Sequence, residues 1–258
     1  MILRDLLAVL DAIAPLRFAE PWDNTGLLTG EPDAEVTRAL LAVDLTHAVA
    51  DEALREGCGL VVAYHPFLFE PIKRVPPDSL LHRVIRRGIA VYSPHTALDV
   101  APGGTNDVLA DALGLAERAP LKITAAAEGQ GIGRVGTLPV PRSREALIAG
   151  VKRALGLSAV LVAGPLTGDV KRAAVCAGAG RGLLAEALAH EVDLYLTGEL
   201  PHHDALRAAA AGVTVVCTLH SNSERATLKR LQARLGEEAP GVAVRISESD
   251  RDPFVIAG

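Results

Sequence analysis

Four side chains with metal-ligand chemistry lie at or after three apolar runs of this 258-residue chain. LVVAYHP carries His65 just before its final proline, IAVYSPHTALD ends at Asp99, and VTVVCTLHSNSE carries His220 and Glu224. Two imidazoles and two carboxylates can surround a hard or borderline divalent cation if the fold brings them together. We therefore predict that these four residues are metal ligands.

The spacing of His220 and Glu224 supports two interpretations. Four residues apart on one helix, the two side chains share a face, and leucines at i+4, i+7 and i+11 from Glu224 put its carboxylate on the core-facing side. A buried carboxylate needs a partner, which a metal would supply. Alternatively, Ser221 and Glu224 match the S-x-x-E capping box, in which the glutamate only bonds a backbone amide. The sequence leaves both open.

Taken singly, the other candidates have simpler explanations. His65, which precedes Pro66, is by itself better explained as a structural histidine, and Asp99 before PGG as a turn aspartate. The segment VCAGAGRG, with Glu199 about twenty residues on, lacks the G-x-G-x-x-G spacing of a dinucleotide site. Tight packing or a small anion nest is a better interpretation of those glycines.

The elements that would position these residues alternate regularly. Strand-like runs ALLAVDLT, LVVAYHP and IAVYSPHTALD are separated by helical patterns, and a second α/β round follows residue 119, with RVGTLP, AAVCAGAG, DLYLTGE and VTVVCTLH among its strands. We predict an α/β fold of two similar three-layer lobes with largely parallel sheets. The expected domains are residues 1–118, residues 119–218, and a C-terminal part, 219–258, that completes the site and packs back on the first lobe.

In open α/β sheets, ligands bind beyond the carboxyl ends of the strands. The predicted metal site therefore lies in the crevice between strand ends, where Asp44, His95 and Glu199 also fall. Residues 18–30, FAEPWDNTGLLTG, are predicted to be a loop, and they contain the only tryptophan, Trp22, beside Asp23 and Asn24.

Composition narrows the class of protein. Hydrophobic residues make up 49% of the chain, which predicts a packed globular fold. A net charge of -5 and only 3% aromatic residues argue against nucleic-acid binding. Three unpaired cysteines indicate buried thiols in a reducing compartment. The N-terminal run MILRDLLAVLDAIAPL is interrupted by charges, so we expect neither a signal peptide nor a membrane span, and a cytoplasmic location.

With these segments assembled, the chain resembles the Nif-three-like family, also labelled GTP cyclohydrolase type 2 homologue or dinuclear metal centre hexameric protein. The matching stretches are PWDNTGLLTG, YHPFLFEPIKR, YSPHTALDVAPGGTND, DLYLTGELPHHDAL and HSNSER, in family order from residue 20 to 225. The resemblance implies two divalent ions, zinc, manganese or iron, on His65, Asp99, His220 and Glu224, with the glutamate bridging them. It also implies a ring-shaped homohexamer.

One position departs from the family pattern. The family commonly has two histidines before the proline, whereas this chain has Tyr64 at the first position. A phenol with its usual pKa of ~10 is a poor ligand, so the second metal site is expected to be weak.

These observations predict a metal-dependent hydrolase acting on nucleotide or other phosphate-bearing small molecules. Glu224 and His95 are the candidate catalytic residues, with His95 suited to proton transfer. A substrate-binding or outer-shell role is predicted for Asn24, Asp44, Tyr64, Glu199 and His203. The alternative is a non-catalytic metal-binding or metal-delivery protein, or a ring-shaped interaction scaffold, and substitution of Glu224 would separate the two.

Overall fold

The computed structural model describes residues 1–257 and divides the chain into two compact units. The first unit comprises Met1–Leu98 and Thr227–Arg251, and the second comprises Asp99–Ala226 and the residues from Asp252 onward. Within residues 1–257, every helix is too short or too polar to cross a lipid bilayer.

The helices and strands alternate along most of the chain. The α-helices are α1 (Leu3–Ile13), α2 (His47–Arg55), α3 (Leu80–Arg86), α4 (His95–Val100), α5 (Thr105–Leu113), α6 (Arg144–Leu155), α7 (Leu184–Ala189), α8 (His202–Ala210), α9 (His220–Arg225) and α10 (Thr227–Glu238). The strands are β1 (Gly26–Thr29), β2 (Arg38–Ala42), β3 (Leu60–Ala63), β4 (Ala90–Ser93), β5 (Ala116–Ala125), β6 (Gln130–Ser143), β7 (Leu161–Ala163), β8 (Asp169–Ala179), β9 (Leu194–Glu199), β10 (Thr214–Cys217) and β11 (Ala243–Ile246).

The sheet of the first unit has the strand order β1-β4-β3-β2-β11. Strands β4, β3, β2 and β11 are parallel, and β1 pairs antiparallel with β4. All residues of β3 and β4 are buried, as their continuous apolar runs predict for strands covered on both faces. The register pairs Ala42 with Ala63 and Val62 with Tyr92, so the chain leaves these three strands at the same edge.

The sheet of the second unit has the order β5-β6-β8-β9-β10-β7. Strands β8, β9 and β10 form a parallel centre, flanked by the antiparallel strands β5 and β6 on one side and β7 on the other. The predicted α/β class with two sheets is confirmed. The sequence did not predict a β5–β6 hairpin of this length. Leu121 is the one buried residue of the edge strand β5, so the apolar pattern of that strand is weak.

Three predicted elements need correction. The strand predicted to run through IAVYSPHTALD ends at Ser93, and Pro94, which has no N–H for a strand ladder, leads into α4. Asp99 therefore lies on a helix and does not follow a strand directly. Part of the predicted loop 18–30 is strand β1, and the helix predicted after His220 is two helices, α9 and α10, separated at Ala226.

Glu52 on α2 is a buried carboxylate that binds the loop after β11. The Oγ of Ser247 donates to its carboxylate at 2.5 Å, and the backbone N–H groups of Glu248 and Ser249 donate at 2.8 and 2.9 Å. Burial acts to raise the pKa of Glu52, but these hydrogen bonds outweigh it and lower the pKa to about 2. The ionised side chain thus holds the C-terminal segment in the first unit.

We expect Glu52→Gln to lower the free energy of unfolding by about 2 kcal/mol at neutral pH, because buried donors lose a charged acceptor. A lowered folded-state pKa contributes stability that is complete above the unfolded value of 4.5 and is lost as the pH falls toward 2. Denaturant unfolding at pH ~7 and ~3 should therefore show a smaller pH dependence for Glu52→Gln than for wild type. The exposed Glu31→Gln is the control, and equal pH dependence in all three proteins would contradict this assignment.

Candidate metal centre

His65 follows β3 and is oriented by a carboxylate that follows β2. Its Nδ1 lies 2.9 Å from Oδ1 of Asp44. A carboxylate on Nδ1 keeps the proton on that nitrogen and makes Nε2 the atom that can bind a metal. The parallel register of β2 and β3 explains why these residues meet although they are 21 positions apart.

His95, at the start of α4, is held by Asp23. Its Nδ1 lies 2.7 Å from Oδ1 of Asp23, whose side chain is fully buried, and the Thr96 N–H donates to Oδ2 at 3.1 Å. Burial acts to raise the pKa of Asp23, but the hydrogen bonds from His95 and Thr96 keep it below its usual range. His95 has a φ of +30°, an uncommon backbone conformation for a residue other than glycine. Asp23 therefore belongs to the surroundings of His95, a role that no local sequence pattern indicates.

Three rings contact one another edge to face in the first unit. The ring centroids of Tyr64 and His65 are 5.2 Å apart, those of His65 and His95 5.4 Å, and those of Tyr64 and His95 6.0 Å. Tyr64 is only 1% exposed. Tyr64, at the position where the resemblance implies a histidine, is therefore packed against both imidazoles.

His220 and Glu224 face each other on α9 in the second unit. Nε2 of His220 lies 3.2 Å from Oε1 of Glu224, and Nδ1 lies 2.9 Å from Oε1 of Glu199 at the end of β9. The Glu224 side chain is 3% exposed. Two donor atoms that share one ion at ~2.1 Å stand about 3.0–3.4 Å apart, so the His220–Glu224 spacing fits a common metal.

The capping-box alternative for α9 is wrong. The residue before the helix is Leu219, whose side chain makes no cap, and Ser221 lies inside the helix with its Oγ donating to Asp252 at 2.7 Å. Leu219, which directly precedes the predicted ligand His220, has a φ of +72°. Like His95, it is a residue other than glycine with an uncommon positive φ.

Glycines at two strand ends make room for His220 and Glu224. Gly178, with a φ of +62°, would bring an added Cβ to 2.9 Å from Oε1 of Glu224 and 3.1 Å from Nε2 of His220. A Cβ on Gly198 would lie 2.9 Å from the Cα of His220. At Gly180 it would lie 2.2 Å from Oγ1 of Thr197. Tight packing therefore explains the glycine-rich segment, as the sequence favoured, and Gly178 contacts the candidate metal ligands.

We expect Gly178→Ala to weaken metal binding about tenfold, because the methyl group displaces both donor atoms. Gly212→Ala is a matched control, since Gly212 has a φ of +77° and no atom within 4 Å of an added Cβ. Both variants carry the same kind of backbone strain, so equilibrium dialysis with Mn²⁺ or Zn²⁺ isolates the effect of the methyl group. Equal affinities of the two variants would show that Gly178 has no role at a metal site.

Each unit holds part of the predicted ligand set: His65 in the first unit is oriented by Asp44, and His220 in the second unit lies between Glu199 and Glu224. Asp99, the fourth predicted ligand, is buried in α4. Burial raises the pKa of the Cys176 thiol to about 12, and the negative charges of Asp99 and Glu224 contribute to the rise. That thiol is protonated at neutral pH and donates to the carbonyl of Ala177 at 3.4 Å.

The remaining predicted residues differ in their surroundings. Asn24 donates from Nδ2 to the carbonyl of Leu68. Asp44 orients the imidazole of His65, and Glu199 orients that of His220. His203 is exposed on α8, where its ring packs against His202 at 5.2 Å, and its predicted role stays a prediction.

Comparison with known families gives a match over nearly the whole chain. Residues 1–253 match the family described as Duf34/NIF3 (NGG1p interacting factor 3). The chain is 38% identical to NGG1-interacting factor 3 of Saccharomyces cerevisiae, over 94% of this chain and 93% of the yeast protein. It is 31% identical to the GTP cyclohydrolase 1 type 2 homolog of Clostridium perfringens, over 98% and 99% of the two chains.

Solved structures share the fold. A Staphylococcus aureus hypothetical protein superposes with a TM-score of 0.90 at 27% identity, covering 100% of this chain and 99% of its own. The Bacillus cereus protein related to NIF3 superposes with a TM-score of 0.91 at 22% identity, with the same coverage.

Proposed function

Because this chain belongs to the Duf34/NIF3 family, we propose that it is a divalent-metal-dependent hydrolase with a dinuclear metal site. Its proposed substrates are nucleotides or other small molecules that carry phosphate. The name of the Clostridium perfringens relative, a GTP cyclohydrolase 1 type 2 homolog, favours a nucleotide.

The observation that carries this proposal is the pair of His220 and the buried Glu224, whose Nε2 and Oε1 atoms lie 3.2 Å apart, together with the carboxylates that orient the predicted ligands His65 and His220. Both imidazoles have a carboxylate on Nδ1, Asp44 for one and Glu199 for the other. This arrangement selects Nε2 as the donor atom and is typical of histidines that bind metals. A histidine that only packs against its neighbours does not need a carboxylate on Nδ1.

In the proposed site, His65, Asp99 and Glu224 would hold one ion, and His220 and Glu224 would hold the other. Bound there, divalent ions would supply a water of lowered pKa and positive charge opposite a phosphoryl oxygen. His95 accepts or donates a proton at Nε2, since Asp23 occupies its Nδ1. Asp23 is a positioning residue, because its fully buried side chain sets the tautomer and orientation of His95.

A second candidate function is favoured by Tyr64. A buried phenol at the position of the family's first histidine supplies a weak ligand for a second ion, which suits a protein that binds or delivers one metal without catalysis. The name of the yeast relative, NGG1-interacting factor 3, favours a scaffold that recruits partners. In either case we propose a homohexamer in the cytoplasm.

Hydrolysis assays separate the two functions. Wild type and Glu224→Gln are screened with added Mn²⁺, Zn²⁺ or Fe²⁺ against nucleotides and phosphoesters. We expect metal-dependent product formation with wild type and at least about a hundredfold less with Glu224→Gln. Stoichiometric metal binding by a wild-type protein that hydrolyses none of these substrates would overturn the enzyme proposal in favour of the metal-binding alternative.

A further inference from the structure

Two exposed aromatic side chains lie side by side in the first unit. The chain has eight aromatic residues, of which Trp22, Phe69 and Phe254 are exposed. Trp22 is 61% exposed and Phe69 51% exposed, and their ring centroids are 6.0 Å apart. Large rings on a surface forgo the free energy of burial, so an adjacent pair indicates a surface that binds something.

The two rings form a corner. Their planes meet at 57°, so a planar molecule that stacks on the indole of Trp22 meets the ring of Phe69 at an angle, as aromatic groups prefer. His95 contacts Trp22 edge to face at 6.1 Å and contacts His65 at 5.4 Å. A ring bound in this corner therefore lies one imidazole away from a predicted metal ligand.

Hydrogen bonds hold the corner in place. Oδ1 of Asp23 accepts from the backbone N–H of Asn24 at 2.8 Å and lies 2.7 Å from Nδ1 of His95. The Asn24 side chain donates to the carbonyl of Leu68, which precedes Phe69. The segments that carry Trp22 and Phe69 are thus tied to each other and to His95, and a bound ring finds its contacts already formed.

We propose that Trp22 and Phe69 bind the base of a nucleotide substrate by stacking. This inference rests on the proposed function in that the phosphate end is assigned to the metal ions. A nucleotide has a planar aromatic ring at one end and phosphate at the other. The first unit has a matching arrangement, because His95 lies between the corner formed by Trp22 and Phe69 and the predicted ligand His65.

Trp22 is the only tryptophan, so its fluorescence reports stacking directly. The metal-free full-length protein is titrated with guanosine monophosphate, guanosine, ribose 5-phosphate and inorganic phosphate, with correction for absorption by the base. We expect saturable quenching by the first two and none by the last two, because stacking requires the base. Quenching of equal size by ribose 5-phosphate and guanosine monophosphate would overturn the proposal.

Variants test the contribution of the second ring. We expect Phe69→Ala to raise the apparent Kd for guanosine monophosphate about five- to tenfold. Phe69→Leu, which keeps apolar bulk without the aromatic ring, should have an intermediate effect. Phe254→Ala, the same change at another exposed phenylalanine, should have none. An unchanged Kd in Phe69→Ala, or a Trp22 emission that responds to protein concentration and to no nucleoside, would reject the base site in favour of contact with a second copy of this chain.

The stacking site and the metal site can fail separately. Quenching by guanosine should persist in Glu224→Gln, since stacking needs no metal ion. Persistent quenching without hydrolysis would leave the stacking site standing and overturn the hydrolase alone. Metal-dependent hydrolysis of phosphoesters without quenching would support the hydrolase and overturn the stacking site.

Discussion

Glu224→Gln should abolish tight binding of a divalent ion, with an affinity loss of at least about a hundredfold. Glutamine has nearly the same shape as glutamate, but its amide lacks the negative charge that offsets the cost of removing water from the ion. The carboxylate is 3% exposed and lies 3.2 Å from Nε2 of His220. It is therefore a buried anion at the distance from an imidazole nitrogen that a shared metal ion requires.

Isothermal titration with Mn²⁺ and Zn²⁺ measures this loss, and thermal unfolding gives an independent check. A metal that binds only the folded protein raises Tm with its concentration, so Tm should rise for wild type and stay constant for Glu224→Gln. Glu237→Gln removes an exposed glutamate from α10 and is the control. If Glu224→Gln and Glu237→Gln bind metal with the affinity of wild type, the metal site lies elsewhere.

Asp44→Ala should weaken metal binding by about 10- to 100-fold, although Asp44 is not a predicted ligand. Asp44 lies 2.9 Å from Nδ1 of His65 and so selects Nε2 as the donor atom. Without this carboxylate, the imidazole can rotate and can carry its proton on Nε2, where a metal cannot bind. Ordering the ring then costs part of the binding free energy.

Two further variants separate positioning by Asp44 from a general effect of charge. Asp44→Asn keeps an oxygen that can accept from Nδ1–H, so it should recover part of the affinity lost in Asp44→Ala. Asp51→Ala removes an aspartate of the same unit that pairs with Arg83, and should bind metal like wild type. Equal affinity losses in Asp44→Ala and Asp51→Ala would reduce the role of Asp44 to its contribution to net charge.

Much of the fold was predictable because its strands are short apolar runs. Strands β2, β3, β4, β9 and β10 coincide with such runs, and Asp44, His65, His95, Glu199 and His220 lie at or just beyond their carboxyl ends. Edge strands were harder to predict. Strand β5 is mostly exposed, and β1 lies in a segment rich in turn-forming residues, so neither has a strong alternating pattern.

The sequence by itself determined which side chains have the chemistry of metal ligands and which family the chain resembles, because both depend on residue type and local spacing. Tertiary structure alone decided which carboxylate orients which imidazole. Asp23 and His95 are 72 positions apart, and no local pattern links them. The role of Gly178 and the pairing of Trp22 with Phe69 also arise only in three dimensions. The physical reason is that an apolar run specifies a strand, whereas packing between strands and helices sets which loops meet beyond its end.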